Sequence, residues 1–176
     1  MNLTDFKVLT FDVYGTLIDW ETGMVNGLKT LTDKMSRRIT RNEILEAHAH
    51  YESSTQLYTP TKVYSDTLAV VYKRLAEEWG IVVTWSDCLT YGASVKDWPA
   101  FKDSVEALQY LKHHFVLVVL SNIDNTSFVH SNKKLNVVFD AVYTAEDIGS
   151  YKPSQVNFDY MIENLERLGV KKTEIL

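Results

Sequence analysis

Two spacings of hydrophobic residues divide the chain. Short unbroken apolar runs occur three times: KVLTFD at 7–12, the run from Phe115 to Ser121 within FVLVVLSN, and FDAVYT at 139–144. Apolar, β-rich runs of this length predict buried strands, and the second, apolar throughout, predicts a central parallel one. Elsewhere apolar residues recur every three or four positions, the helical period. Residues 23–36 predict one helix and ITRNEILEAHAHYESSTQL a second, with Thr40 as its N-cap and Pro60 breaking the pattern beyond it. SDTLAVVYKRLAEEWG predicts a third, capped by Ser65 and ended by Gly80, with Leu68, Val71, Tyr72, Leu75 and Trp79 as its apolar stripe. SDCLTYGASV predicts a fourth, shorter one. In WPAFKDSVEALQYLKHH, Val105, Leu108 and Leu111 fit a helix leading into the second strand. Residues 126–135 predict another, and KPSQVNFDYMIENLERLGV a last one, with Pro153 in its first turn and Gly169 at its end.

One strand, a block of helices, then helix–strand–helix–strand–helix is the order of an α/β protein: a Rossmann-like doubly wound parallel sheet with an inserted helical cap. The division places the core at 1–17 and 98–176 and the insert at 18–97. Composition agrees with one domain carrying an insert: of 176 residues 45% are hydrophobic, and only 3 Pro and 7 Gly leave little room for a linker. The net charge of -5 offers no basic face, so nucleic acid is not an expected partner. No apolar run approaches a bilayer span, so no membrane is expected either. The lone Cys88 fits a reducing compartment and a buried small hydrophobe rather than a nucleophile, and the expected location is cytoplasmic.

Ligands of such sheets sit at the carboxyl ends of the strands. Asp12 ends the first run, Ser121 and Asn122 end the second, and Lys152 follows the third. A carboxylate can act as a nucleophile when the reacting centre is held in line. Lys152 would supply positive charge beside Asp12 and orient it, while Ser121 and Asn122 would offer neutral donors to a substrate oxygen. Gly15 and Thr16 would let backbone N–H groups approach the same anion. Trp20 and Trp98 flank the junctions of core and insert, where they would pack hinges or wall an apolar pocket. His48 and His50, two apart on a helix, point apart and make a poor metal pair; a surface or pocket-lining place is expected for each.

Asp12-x-Tyr14-Gly15-Thr16, then LSN at 120–122, then YKP at 151–153 resemble the first three motifs of the haloacid dehalogenase superfamily, in the family's order and with an insert where the family keeps its cap. FDVYGTL is most similar to the L-2-haloacid dehalogenase branch, and WPAF and TAEDIGSYKP resemble fungal-type members. The resemblance implies a hydrolase: Asp12 attacks the halogen-bearing carbon of a small 2-haloacid, and water then hydrolyses the aspartyl ester. It implies catalytic roles for Asp12, Lys152, Ser121 and Asn122, with Tyr14, Gly15, Thr16, Trp20, Trp98 and Phe158 about the substrate. It implies no metal and no cofactor. A small molecule is the expected partner, with a homodimer left open.

Three positions depart from the family. Its phosphatases carry a second Asp where this chain has Tyr14. Its dehalogenases carry an Arg in the cap's second helix, and 42–57 contains none; Arg41 lies only at its start. The tyrosine six places after the motif lysine is Phe158. The family's fourth core strand, with its acidic motif, would begin at KKTEIL, the end of the sequence, so the first strand is expected to keep an open apolar edge. Two other readings follow: another activity on the same fold, a phosphatase or recruited biosynthetic chemistry, or a truncated, inactive homologue.

Overall fold

A computed structural model describes residues 3–176. Three parallel strands form the sheet in the order β1-β2-β3: β1 Val8–Phe11, β2 Val116–Ser121 and β3 Ala141–Thr144. Leu9 lies beside Leu117, and Val119 beside Val142. Each predicted strand is present, the first shortened at both ends and the other two at their starts.

Alternation along the strands divides the core between two faces. Val8, Val118 and Leu120 pack on Met161 and Leu165 of one helix, α9 (Gln155–Arg167). Leu9, Leu117 and Val119 face the other way, into a cluster that continues through the insert. Fully burying each such side chain is worth on the order of 1.5–3 kcal/mol. β2, buried on both faces, is therefore held at the centre.

The first predicted helix is two, α1 (Trp20–Gly27) and α2 (Lys29–Thr32), with Leu28 between them. It begins three residues early because the Asp19 side chain accepts the Thr22 N–H at 3.1 Å. α3 (Arg41–Tyr58) starts at the expected Thr40, in a reciprocal capping box with Glu43. α4 (Tyr64–Glu78) corrects the placing of Ser65: the N-cap is Val63, two positions earlier, and the Ser65 backbone N–H, in the first turn, donates to Asp124 Oδ2 at 3.2 Å. α5 (Trp85–Gly92) is capped by Thr84 and runs into a 3₁₀ turn at Ala93–Asp97. Cys88 is buried, as expected.

α6 (Ser104–Lys112) and α7 (Asn125–Leu135) flank β2 in sequence, and α8 (Ala145–Ile148) follows β3. α9 corrects the placing of Pro153, which precedes the Ser154 N-cap instead of entering the first turn.

The expected open edge of β1 also requires correction. The Lys7 N–H donates to the Glu174 carbonyl at 2.9 Å, the Thr10 N–H to Leu176 at 2.7 Å, and the Leu176 N–H returns to Val8 at 2.9 Å. Ile175 bridges Val8 in parallel. The last residues thus begin to cover the β1 ladder on the side away from β2.

The two connections between core and insert run side by side. The Asp19 N–H donates to the Pro99 carbonyl at 2.8 Å and the Phe101 N–H to Leu17 at 3.0 Å, with an antiparallel bridge between Ile18 and Ala100. Further contacts tie insert to core. The Tyr151 hydroxyl donates to the Lys62 carbonyl at 2.6 Å, and Lys134 Nζ donates to the Lys96 and Trp98 carbonyls. Burial, ahead of any neighbouring charge, pushes the Tyr151 phenol up to about 12, so it stays a donor.

Candidate active site

β1 ends at Phe11, and the chain turns at once. The Leu17 and Ile18 N–H groups both donate to the Val13 carbonyl, at 2.8 and 2.9 Å. Gly15 makes the turn with φ +101, in the region L side chains avoid, and a Cβ there would stand 2.9 Å from Trp20 Nε1. The expected anion cradle is corrected here: the Gly15 N–H donates to the Ile18 carbonyl at 2.9 Å and the Thr16 N–H to Val13 at 3.3 Å. Closing the turn consumes both donors. What the turn does present is Asp12, half exposed beyond the strand.

Lys152 Nζ donates to Asp12 Oδ1 at 2.8 Å and to the Leu120 carbonyl at 2.7 Å. Its ammonium is therefore fixed between the ends of β1 and β2. Asp12 Oδ2 accepts only a long 3.3 Å contact from the Thr16 hydroxyl.

Asn122 holds Lys152 from behind. Its Oδ1 accepts the Lys152 N–H at 2.6 Å, and its Nδ2 donates to the Lys152 carbonyl at 3.0 Å. It was expected as a substrate donor, yet half of its capacity goes to the lysine backbone, with one amide hydrogen and one oxygen lone pair left over. Ser121 Oγ is buried without a hydrogen-bond partner, at the end of β2 and on the wall of the same cavity.

That cavity, of about 230 Å³, is lined by Asp12, Tyr14, Ser121 and Asn122 from the core and by Trp20, Glu52, Gln56 and Tyr64 from the insert. Trp98 stands behind it, buried, with its ring edge-on to Tyr14 at 5.8 Å. Phe158 projects from α9, 37% exposed, and does not line it. Tyr14 shares a 2.7 Å hydrogen bond with Ser131. Burial pushes its phenol well above its ordinary value, outweighing the Ser131 hydrogen bond that lowers it.

Beyond Trp20, the insert's contribution was not foreseen. Glu52 Oε1 accepts from Gln56 Nε2 at 3.2 Å, and Glu52 Oε2 lies 3.3 Å from His48 Nδ1. His48 is fully buried, which corrects its expected place at surface or pocket. The buried Tyr64 phenol is raised first by desolvation and then by the Glu52 carboxylate. The spacing 48, 52, 56 was the available signal: three polar residues one helical turn apart share one face. Arg41 faces elsewhere, pairing with Glu21 of α1 at 2.8 Å on the surface. Among the described residues no group of three His, Cys, Asp or Glu side chains is placed to hold a metal ion. None of the described helices is long and apolar enough to cross a membrane.

A parallel sheet that gathers Asp12, Ser121 and Lys152 at its carboxyl edge beneath a helical insert defines a class of α/β enzyme folds, and sequence comparison identifies which. A profile described as haloacid dehalogenase-like hydrolase matches residues 6–176. The chain belongs to that family. Among solved structures, the L-2-haloacid dehalogenase from Xanthobacter autotrophicus is 16% identical with a TM-score of 0.79, the match spanning 97% of this chain and 68% of that one. The defluorinating L-2-haloacid dehalogenase Rha0230 is 15% identical with a TM-score of 0.79, over 97% of this chain and 71% of that one. The HAD-hydrolase YfnB from Bacillus subtilis, bound to magnesium, is 16% identical with a TM-score of 0.71, over 90% and 73%. At these identities the likeness is one of fold. No curated protein sequence matches significantly.

Proposed function

We propose that the chain hydrolyses the carbon–halogen bond of a small 2-halo compound, a 2-haloacid or its neutral derivative, through an ester on Asp12. The 2.8 Å contact between Lys152 and Asp12 Oδ1 carries this reading, because it leaves Oδ2 as the more open oxygen on a cavity wall. Oδ2 attacks the halogen-bearing carbon; the C–O bond forms as the C–X bond breaks, and halide leaves with the bonding pair. Water then adds to the ester carbonyl carbon. The hydroxylated product departs, one proton goes to solvent, and Asp12 is restored. Lys152 holds the carboxylate in line, and Asn122 holds Lys152. Residues 18–97 act as the cap, since four of their side chains, Trp20 of α1, Glu52 and Gln56 of α3 and Tyr64 of α4, line the cavity beside Asp12.

Tyr14 favours this chemistry over a phosphatase. A buried phenol bonded to Ser131, with its acidity reduced, is a poor proton donor to a leaving alcohol at neutral pH. Calorimetric titration with magnesium is accordingly expected to show no micromolar site. Binding that disappears in Asp12→Asn would return the phosphatase to first place.

Single-turnover hydrolysis of 2-chloropropionate or 2-chloropropionamide in oxygen-18 water tests the ester. The label is expected in the Asp12 carboxylate and not in the first product, because water attacks the carbonyl of the ester. Label entering that first product would show direct attack by water and remove Asp12 from its role.

A further inference from the structure

We infer that Glu52 selects the substrate, excluding a free carboxylate and favouring a 2-halo compound whose acyl end is neutral and donates hydrogen bonds, such as a 2-haloamide. This rests on Asp12 as nucleophile and narrows what that nucleophile receives.

The cavity walls carry two carboxylates, Asp12 and Glu52, and no Lys or Arg. The ammonium that reaches Asp12, that of Lys152, is already committed to Asp12 Oδ1 and the Leu120 carbonyl. Gln56 is neutral, and the phenols of Tyr14 and Tyr64 are held protonated by burial. His48 touches Glu52 from the side away from the cavity wall: it is fully buried and does not line the cavity. An entering carboxylate is thus itself a third negative charge, with no cation on the cavity wall to receive it. Glu52 is only 19% exposed, so water screens it incompletely. In a cavity of about 230 Å³ a bound anion lies within roughly 8 Å of Glu52, and at an effective dielectric near 20 that repulsion weakens binding roughly thirtyfold.

A neutral amide meets the opposite situation. An ionised carboxylate has about four acceptor positions. Gln56 fills one on Oε1, His48 approaches Oε2, and the Tyr64 phenol hydrogen-bonds to the same carboxylate. About one position remains for an N–H of the substrate, and a hydrogen bond to a charged, partly buried acceptor is among the stronger ones. The same contacts hold Glu52 in one place, so its charge is a fixed feature of the wall.

The test compares halide release from 2-chloropropionamide and 2-chloropropionate by the full chain, each kcat/KM divided by that compound's rate with acetate in solution. The amide is expected to win in the unaltered protein. Glu52→Gln should move the amide-to-acid ratio at least tenfold toward the acid. Gln56→Arg should move it the same way by adding a cation while leaving the His48–Glu52 contact alone, and melting curves confirm that each variant is folded. Preference for the acid in the unaltered protein, or a ratio unmoved in folded variants, overturns the role of Glu52 while leaving Asp12 as nucleophile. Halide release from neither compound overturns both.

Discussion

Asp12→Asn is expected to lose halide release by roughly 10⁴-fold or more, the scale seen when a nucleophile is removed. An amide oxygen does not form the ester, and no other carboxylate stands at the β1 end of the cavity. The fold should survive. The Asp12–Lys152 pair is 41% and 19% exposed, and the Asn carbonyl still accepts from Lys152 Nζ. The melting temperature should therefore change little while turnover disappears, and calorimetry beside a halide assay separates the two. Lys152→Met should cost less, on the order of 10²-fold, because it removes one orienting charge and leaves the nucleophile in place. A folded Asp12→Asn protein that retains turnover would show that the chemistry lies elsewhere.

The core of this site was legible because strand ends are legible. KVLTFD and FVLVVLSN stop at the residues that the sheet brings to one edge, so Asp12 and Ser121 could be placed by counting alone. Lys152 followed from its position after β3. Caps were legible when the partner was local: Thr40 and Glu43 close their box within one turn. They were misplaced when the partner was distant. Ser65 reads as a cap, but its N–H is received by Asp124, 59 positions along the chain. Likewise the donors of Gly15 and Thr16 were free on paper and consumed by Ile18 and Val13 in the folded turn. The wall supplied by the insert was the least accessible part. The spacing in ITRNEILEAHAHYESSTQL groups 48, 52 and 56 on one face, but does not tell whether that face or the one with Glu46 meets the core, because α4 and the hinge decide it.

Gly92→Ala should be among the most damaging additions of a single methyl at the described glycines. Gly92 ends α5 where that helix lies against the start of α4, and a Cβ there would sit 2.2 Å from the Ser65 carbonyl oxygen and 3.5 Å from the Ala69 nitrogen. The obstacle is backbone, so no side chain can turn away to relieve it. Either the helices separate, opening the contacts of Leu68, Tyr72 and Tyr91 in the core, or the start of α4 shifts. Overpacking of this kind costs roughly 3 kcal/mol. Gly80 is the internal comparison: nothing lies within 4 Å of its added Cβ, although its φ of +68 retains a strain cost. Gly80→Ala should therefore cost only about 1 kcal/mol. The loss at Gly92 should reach the active site as well. The first turn of α4 carries Tyr64 on the cavity wall, and Ser65 is anchored to Asp124. Urea unfolding of both variants measures the stability difference, and the amide-to-acid ratio of folded Gly92→Ala measures whether the wall has moved. Equal stability of the two variants would show that α5 can retreat from Ser65 freely, and that the close approach of α4 and α5 does not hold the insert in shape.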